Sequence, residues 1–235
     1  MVAALPREVS PLVKSWRKTD EEVDGYRLTF FEGRDRVLVC GGIGREAARR
    51  AAEAVITRYR PAILQSVGFA GALDPGLKVG DLFFPARVID SADNSRMEND
   101  QGEGCLVSFH AVAGIAQKAR LAKAYSAQAV DMEAAGVASA AQAHGLKFQA
   151  VKVISDELDF EMPLSESCIT SGGGFLTGRF LAMAGLRPWL WPRVFRLARN
   201  TSRASRNLCR WLAQYDGQHN EAARPAPLAS GLGHS

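Results

Sequence analysis

The chain has only four cysteines (Cys40, Cys105, Cys168 and Cys209), none in a CxxC pair and none with a histidine at metal-ligand spacing. That argues against a disulfide framework and a zinc site, and favours a reducing compartment. No apolar run approaches the roughly 20 residues that a bilayer-crossing helix needs. The first residues, MVAALPREVSPL, lack the basic-then-apolar order of a secretory signal. A cytoplasmic protein is therefore expected. Charge of one sign is also in short supply: the net charge is only +4, although it is unevenly spread. What the chain does have is apolar content, 47% of 235 residues, enough for one α/β domain with a full core. Wholesale disorder is excluded.

Punctuated apolar runs set out the fold. DRVLVCGGIG (35–44) predicts a strand ending in a glycine turn, and REAARRAAEAVITRYR predicts a helix stopped at Pro61. AILQSVGFAGALD (62–74) predicts a strand, a GFAGA turn and a loop. KVGDLFFPARVID (78–90) predicts a turn and a strand, and 91–105 a polar surface loop. A helix is expected over 130–143, closed by Gly145, then a buried strand over 148–156. Strands alternating with helices imply a three-layer α/β domain with a mixed, mainly parallel central sheet. Ligands of such sheets sit beyond the carboxyl ends of strands, where Gly68–Gly71 and Ser155–Asp156 fall. A loop is expected from 157, then basic helical sequence. The expected divisions are an α/β domain over 1–186, a basic amphipathic helix over 187–215 and a flexible tail over 216–235.

Three carboxylates stand out: Glu8, Glu133 and Asp156. Each alone has a structural explanation: a solvated acid at a helix start, a partner for a helix dipole, a turn former after a strand. Their flanks change the weighing. ALPREV, SVGFAGALDPGLKVGDL, VDMEAAGVA and VKVISDELD occur in that order, over residues 1–160. The series closely resembles the purine nucleoside phosphorylase and methylthioadenosine/S-adenosylhomocysteine nucleosidase superfamily. The resemblance implies that Glu8 activates the attacking water and that Met132 and Glu133 pack the ribose and bind its hydroxyls. It also implies that Asp156, with Ser155 beside it, protonates the purine at N7. Asp131 is expected to be a dipole partner facing solvent. Gly68, Phe69, Gly44 and Val112 complete the candidate binding set, with Val112 and Ala113 at the purine wall. No metal and no cofactor are implied.

The chemistry accounts for those residue types. Adenine is a poor leaving group until protonated, so a general acid is needed, worth typically about 10²–10⁴-fold. Such an acid must hold its proton near neutral pH, through desolvation or a hydrogen-bonded base. A negative Glu133 favours a ribosyl cation, and acid and base carboxylates on opposite faces parallel inverting glycosidases. Phe69 supplies no donor for phosphate, which favours water as nucleophile, although Arg45 could reach an anion. GGIGREA approaches a dinucleotide fingerprint, but the next strand ends without the acid that a ribose would need.

RPWLWPRVFRLARNTSRASRNLCRWL (187–212) holds seven arginines and no acid. Arg196, Arg199, Arg203, Arg206 and Arg210 share one helical face, with Val194, Leu197, Ala198, Leu208 and Leu212 opposite. Two readings stay open: a helix packed on the domain with a solvated basic face, or an interfacial helix meeting anionic headgroups, with Trp189 and Trp191 at the lipid boundary. No nucleic-acid reader motif is present. The texture of this stretch resembles the hopanoid-associated branch of the superfamily. That branch implies an adenosine-type, lipid-linked substrate, adenosylhopane, and with it peripheral contact with a membrane; the superfamily resemblance implies a homodimer. The alternatives are a methylthioadenosine/S-adenosylhomocysteine nucleosidase, a phosphate-dependent phosphorylase, or a non-catalytic nucleoside- or lipid-binding module.

Overall fold

The computed structural model describes residues 1–99, 102–163, 168, 170, 172–176, 178 and 185–222. Part of the loop expected after 157, most of the start of the helical sequence (177 and 179–184) and the tail beyond 222 lie outside the described residues. Chain order begins with β1 (Val2–Ala3) and α1 (Pro6–Val13), then a hairpin of β2 (Arg17–Val23) and β3 (Tyr26–Glu32). Asp24 and Gly25 turn that hairpin with φ of 52° and 78°, the left-handed pair such a turn requires. β4 (Val37–Cys40) leads through Gly42 and Gly44, both at positive φ, into α2 (Arg45–Tyr59). β5 (Ile63–Ala72) runs straight through GFAGA, which is strand rather than the expected turn. β6 (Leu82–Phe83) and β7 (Arg87–Asp90) follow.

The stretch 91–105 is not wholly loop. Asp90 and Asp93 side chains accept from the Ala92 and Ser95 N–H groups, at 2.9 and 2.8 Å. These Asx turns fold β8 (Arg96–Glu98) back on β7. β9 (Cys105–Ser108), α3 (Ile115–Tyr125) and β10 (Ala129–Asp131) come next. The helix expected from 130 starts later, as α4 (Ala134–Ala143), because AVD is taken into the sheet between β5 and β9. β11 (Lys147–Asp156) completes the sheet. A 3₁₀ turn (Pro188–Leu190) opens α5 (Trp191–Ala222). That helix passes through the first seven residues of the expected tail, since no proline intervenes before Pro225 and one glycine weakens a helix by only about 1 kcal/mol.

The strands form a mixed, mainly parallel sheet, in the order β2-β3-β4-β1-β5-β10-β9-β7-β8, with β11 on the other edge of β5. β11 pairs with β5 in parallel from Lys147 opposite Ile63 to Asp156 opposite Gly71. The opposite edge of β5 is shared. Parallel β1 meets it at Ser66 and antiparallel β10 meets it at Gly71 and Ala72. A crevice opens where β1 and β10 both end, at the carboxyl end of the longest parallel pair.

Alternation along the strands sends side chains to two cores. Leu64, Ala70, Phe148, Ala150 and Ile154 pack with α2 and α4 on one face. Val67, Val151 and Val153 pack with Val9 and Val13 of α1 and Ala204, Leu208 and Leu212 of α5 on the other. The small residues of α4 serve helix contact as much as sheet contact. A Cβ on Gly136 would lie 2.1 Å from the Arg45 carbonyl oxygen of α2.

α5 also repairs α1. Pro11 has no N–H for the carbonyl of Arg7 four residues earlier. The Ser205 hydroxyl of α5 donates to that carbonyl at 3.3 Å.

Candidate active site

The crevice holds a cavity of about 140 Å³ whose lining includes Glu8, Phe69, Val112, Met132, Glu133, Ser155 and Asp156. Side chains from α1, β5, β9–α3, β10–α4 and β11 thus meet at one place. Gly44 and Gly68 are not in the wall but shape it from behind.

Glu8 sits in the first turn of α1, which Pro6 opens at a position where its missing N–H is harmless. The side chain is buried, not solvated. A Cβ on Gly68 would lie 2.7 Å from Glu8 Oε2, and Gly68 has φ of 148°. Only glycine fits there. Burial first, and then the negative charge of Glu133, raise the Glu8 carboxyl to about 8. Its Oε2 receives no hydrogen bond from the described protein atoms.

Glu133 is the residue before α4. Its Oε1 accepts from the Gly44 N–H at 2.9 Å and its Oε2 from the Met132 N–H at 3.2 Å. The GGIG turn therefore aims a backbone donor at this carboxylate. Burial, then the charge of Asp131, push its proton affinity up. Asp131 is not a solvent-facing dipole partner: it is 4% exposed. Its Oδ2 accepts from the Ala134 N–H at 2.8 Å and pairs with Lys152 Nζ at 2.8 Å. Its Oδ1 accepts from the Ser108 hydroxyl at 2.6 Å, and that oxygen accepts from the Ala135 N–H. Asp131 and Ser108 thus cap α4 from inside the protein. Lys152, Ser108 and Asp131 form a buried scaffold that the sequence reading missed. A lysine within the apolar run FQAVKVISD was its visible sign.

Asp156 is aimed by a bulge. Ile154 lies opposite Ala70 and Asp156 opposite Gly71, so Ser155 is the extra residue. The Ser155 hydroxyl donates to Asp156 Oδ1 at 2.7 Å. Asp156 Oδ2 meets the ammonium of Lys118 from α3, another cavity residue absent from the sequence reading. Lys118 and Leu121 are the buried positions of α3, so a lysine on the inward stripe was the available signal. The desolvation expected to hold a proton on Asp156 is thus accompanied by a buried cation in direct contact.

A second chamber of about 490 Å³ adjoins the first, sharing Arg7, Phe69, Ser155, Met162 and Phe175. Pro11, Val194, Leu197 and Ala198 extend its apolar wall between α1 and α5. Arg45 does not reach the cavity. It is ion-paired with buried Asp90, and with Asp93 at 3.3 Å. Among the described residues no group of three or more His, Cys, Asp or Glu side chains is placed to hold a metal. None of their helices is long and apolar enough to cross a membrane.

Comparison with known proteins adds a lineage. The family profile described as "Phosphorylase superfamily" matches residues 1–109 and 103–167. A 5'-methylthioadenosine/S-adenosylhomocysteine nucleosidase of Staphylococcus aureus is 25% identical over 215 residues, covering 73% of this chain and 94% of the relative. The futalosine hydrolase of Helicobacter pylori superposes with a TM-score of 0.68 at 15% identity, over 92% of this chain and 96% of that one. The S-adenosylhomocysteine nucleosidase of Streptococcus pyogenes, solved with 5-methylthiotubericidin, gives 0.57 at 20% identity, over 67% and 84%.

Proposed function

The chain belongs to the phosphorylase superfamily, and from that premise we propose that it is a nucleosidase that hydrolyses the N-glycosidic bond of an adenosine-type nucleoside and releases adenine. The observation that carries this reading is the convergence of Glu8, Glu133 and Asp156 on one cavity. Glu133, held by two backbone N–H groups, keeps lone pairs for the ribose hydroxyls and puts negative charge beside a developing ribosyl cation. Glu8 presents an oxygen with no protein donor, the arrangement that a base for attacking water needs. A cationic sugar beside it favours its ionised form. Asp156 delivers the proton that lets the base depart.

Water is preferred to phosphate as nucleophile. Phe69 offers no hydrogen-bond donor, and Arg45 is engaged by Asp90 and Asp93. Adenine release measured with and without phosphate tests this: release that needs phosphate overturns hydrolysis in favour of a phosphorylase.

For the substrate we favour a lipid-linked adenosine such as adenosylhopane. The apolar second chamber supports this by continuing from the cavity toward α5. Leu186, Trp189 and Phe195, just before and in the first turns of α5, are 81%, 70% and 71% exposed, an unusual set for a surface that meets only water. Arg196, Arg199, Arg203, Arg206 and Arg210 are all exposed, so α5 combines a packed lower half with a basic, aromatic upper end suited to anionic headgroups. The alternative substrate is methylthioadenosine or S-adenosylhomocysteine, favoured by the Staphylococcus aureus relative. Competition between the two under one assay separates them. A homodimer belongs to the same reading and is checked by sedimentation.

A further inference from the structure

Lys118 is buried, with 1% of its surface exposed, in a cavity wall where its charge needs an explanation. It occupies the first turn of α3, an end at which the helix dipole disfavours a cation. Packing does not explain its position, since an apolar side chain would fill the same inward stripe with Leu121. Its partners do. Nζ contacts Asp156 Oδ2 and donates to the Glu157 carbonyl at 2.6 Å. Room for the pair is made by Gly71, where a Cβ would lie 2.9 Å from Asp156 Oδ2 and 3.3 Å from Lys118 Cε.

Hydrogen-bond accounting then bears on the proton. Asp156 Oδ2 accepts from Lys118, and the one hydrogen of the Ser155 hydroxyl is shared between Asp156 Oδ1 at 2.7 Å and the Ala70 carbonyl oxygen at 3.3 Å. The buried donor in direct contact with the Asp156 carboxylate is therefore the Lys118 ammonium.

We propose that Lys118 and Asp156 act as one proton-sharing pair, in which Lys118 Nζ holds the proton that reaches the purine through Asp156. This inference rests on the nucleosidase reading above. In the step, a proton passes from Lys118 Nζ to Asp156 and from Asp156 to N7. The electrons of the C1′–N9 bond leave with neutral adenine. The water oxygen bonds to C1′, and its proton goes to Glu8. Exchange of Glu8 and Lys118 with solvent restores both, so one water is consumed per adenine. The charged groups that share the cavity with the pair are Asp131 and Glu133 at the β10–α4 junction, and Glu8 and Arg7 from α1.

The test compares two leaving groups on the same 5′-substituted ribose. Adenine needs a proton to depart, whereas 4-nitrophenolate leaves as a stable anion. Lys118→Met is expected to lower adenine release about 10²–10⁴-fold and nitrophenol release less than about 10-fold. The ratio of the two rates is independent of how much variant folds. Equal losses on both substrates overturn the relay and leave Lys118 a structural counter-ion. Lys118→Arg keeps the positive charge but does not give up a proton, so it should not restore adenine release; restoration also overturns the relay. The wild type supplies a reading that needs no variant. Its adenine-to-nitrophenol rate ratio is expected to stay constant from about pH 6 to 8, because Glu8 and Glu133 serve both substrates and cancel. A tenfold fall per pH unit marks a solitary carboxylic acid and refutes the pair. A wild type that releases no adenine refutes the nucleosidase reading instead.

Discussion

Glu8→Gln removes an ionisable group and keeps its shape, so at pH 8 its effects on stability and on turnover should have opposite signs. In the folded chain the carboxyl is raised from 4.5 to about 8 by burial and by Glu133. A group whose folded value lies above its unfolded one contributes stability that is fully present below about pH 4.5. That contribution is lost as pH rises through about 8. At about 1.4 kcal/mol per pH unit, the ionisation of Glu8 destabilises the wild type by about 1 kcal/mol at pH 5.5 and about 4 kcal/mol at pH 8. The glutamine amide adds a buried donor in place of the unpartnered Oε2, a cost of about 1–3 kcal/mol that is the same at both pH values. The advantage of the variant should therefore grow by about 3 kcal/mol between pH 5.5 and 8. At about 2–4 °C per kcal/mol for a domain of this size, its Tm relative to wild type should rise by about 6–12 °C over that interval. Scanning calorimetry at the two pH values reads the difference directly. Adenine release by the same variant should fall about 10²–10⁴-fold. A Tm difference that does not change with pH would refute the claim that Glu8 is buried at the expense of its charge.

Other changes read the rest of the site. Asp156→Asn should abolish adenine release while leaving the circular dichroism spectrum and fold intact; unchanged turnover removes Asp156 from the chemistry. Glu133→Gln should lower kcat/KM by about 10²-fold or more through weakened ribose contacts and lost charge stabilisation, and a wild-type value contradicts its role. Gly68→Ala puts a methyl group 2.7 Å from Glu8 Oε2, so steady-state kinetics should show a fall in kcat of at least about tenfold. Replacing Trp189 and Phe195 with serine should abolish salt-sensitive sedimentation with anionic vesicles while leaving hydrolysis of a short, soluble nucleoside unchanged; undiminished sedimentation rules out the proposed lipid-facing end.

The acids could be read from the sequence because each stands at a junction with its own local signature. Glu8 follows a proline helix start, Glu133 precedes an alanine-rich helix and Asp156 ends a Val/Ile-rich strand. Their supports were less legible. Lys118 and Ser108 matter through pairings 38 and 23 to 27 residues away in the chain, and Lys152 through its ion pair with Asp131 of another strand, and no local periodicity encodes such a pairing. Asp131 was misread for the same reason. Next to a helix it suggests a surface cap, and only the burial of β10 turns it into an internal one. GFAGA misled because its glycines suggest a turn, whereas Gly68 and Gly71 make room for Glu8, Asp156 and Lys118 within a continuous strand. β8 was hidden in polar sequence, since the residues that build an Asx-turned hairpin are those that also build loops. The hairpin of β2 and β3 went unread despite its Asp-Gly turn, because its first strand is charged.

The bond from Ser205 to the Arg7 carbonyl gives α5 a duty that its position in the sequence would not suggest. α1 is eight residues long and broken by Pro11, too short to persist unaided in water. Its neighbour splints it: Ser205 meets Arg7, the Cys209 thiol approaches the Glu8 carbonyl oxygen at 3.7 Å, and Leu208 and Leu212 fill the seam. A protein cut off before Trp191 would therefore not be a trimmed enzyme. It would lose the mounting of Glu8, the acid proposed to activate water.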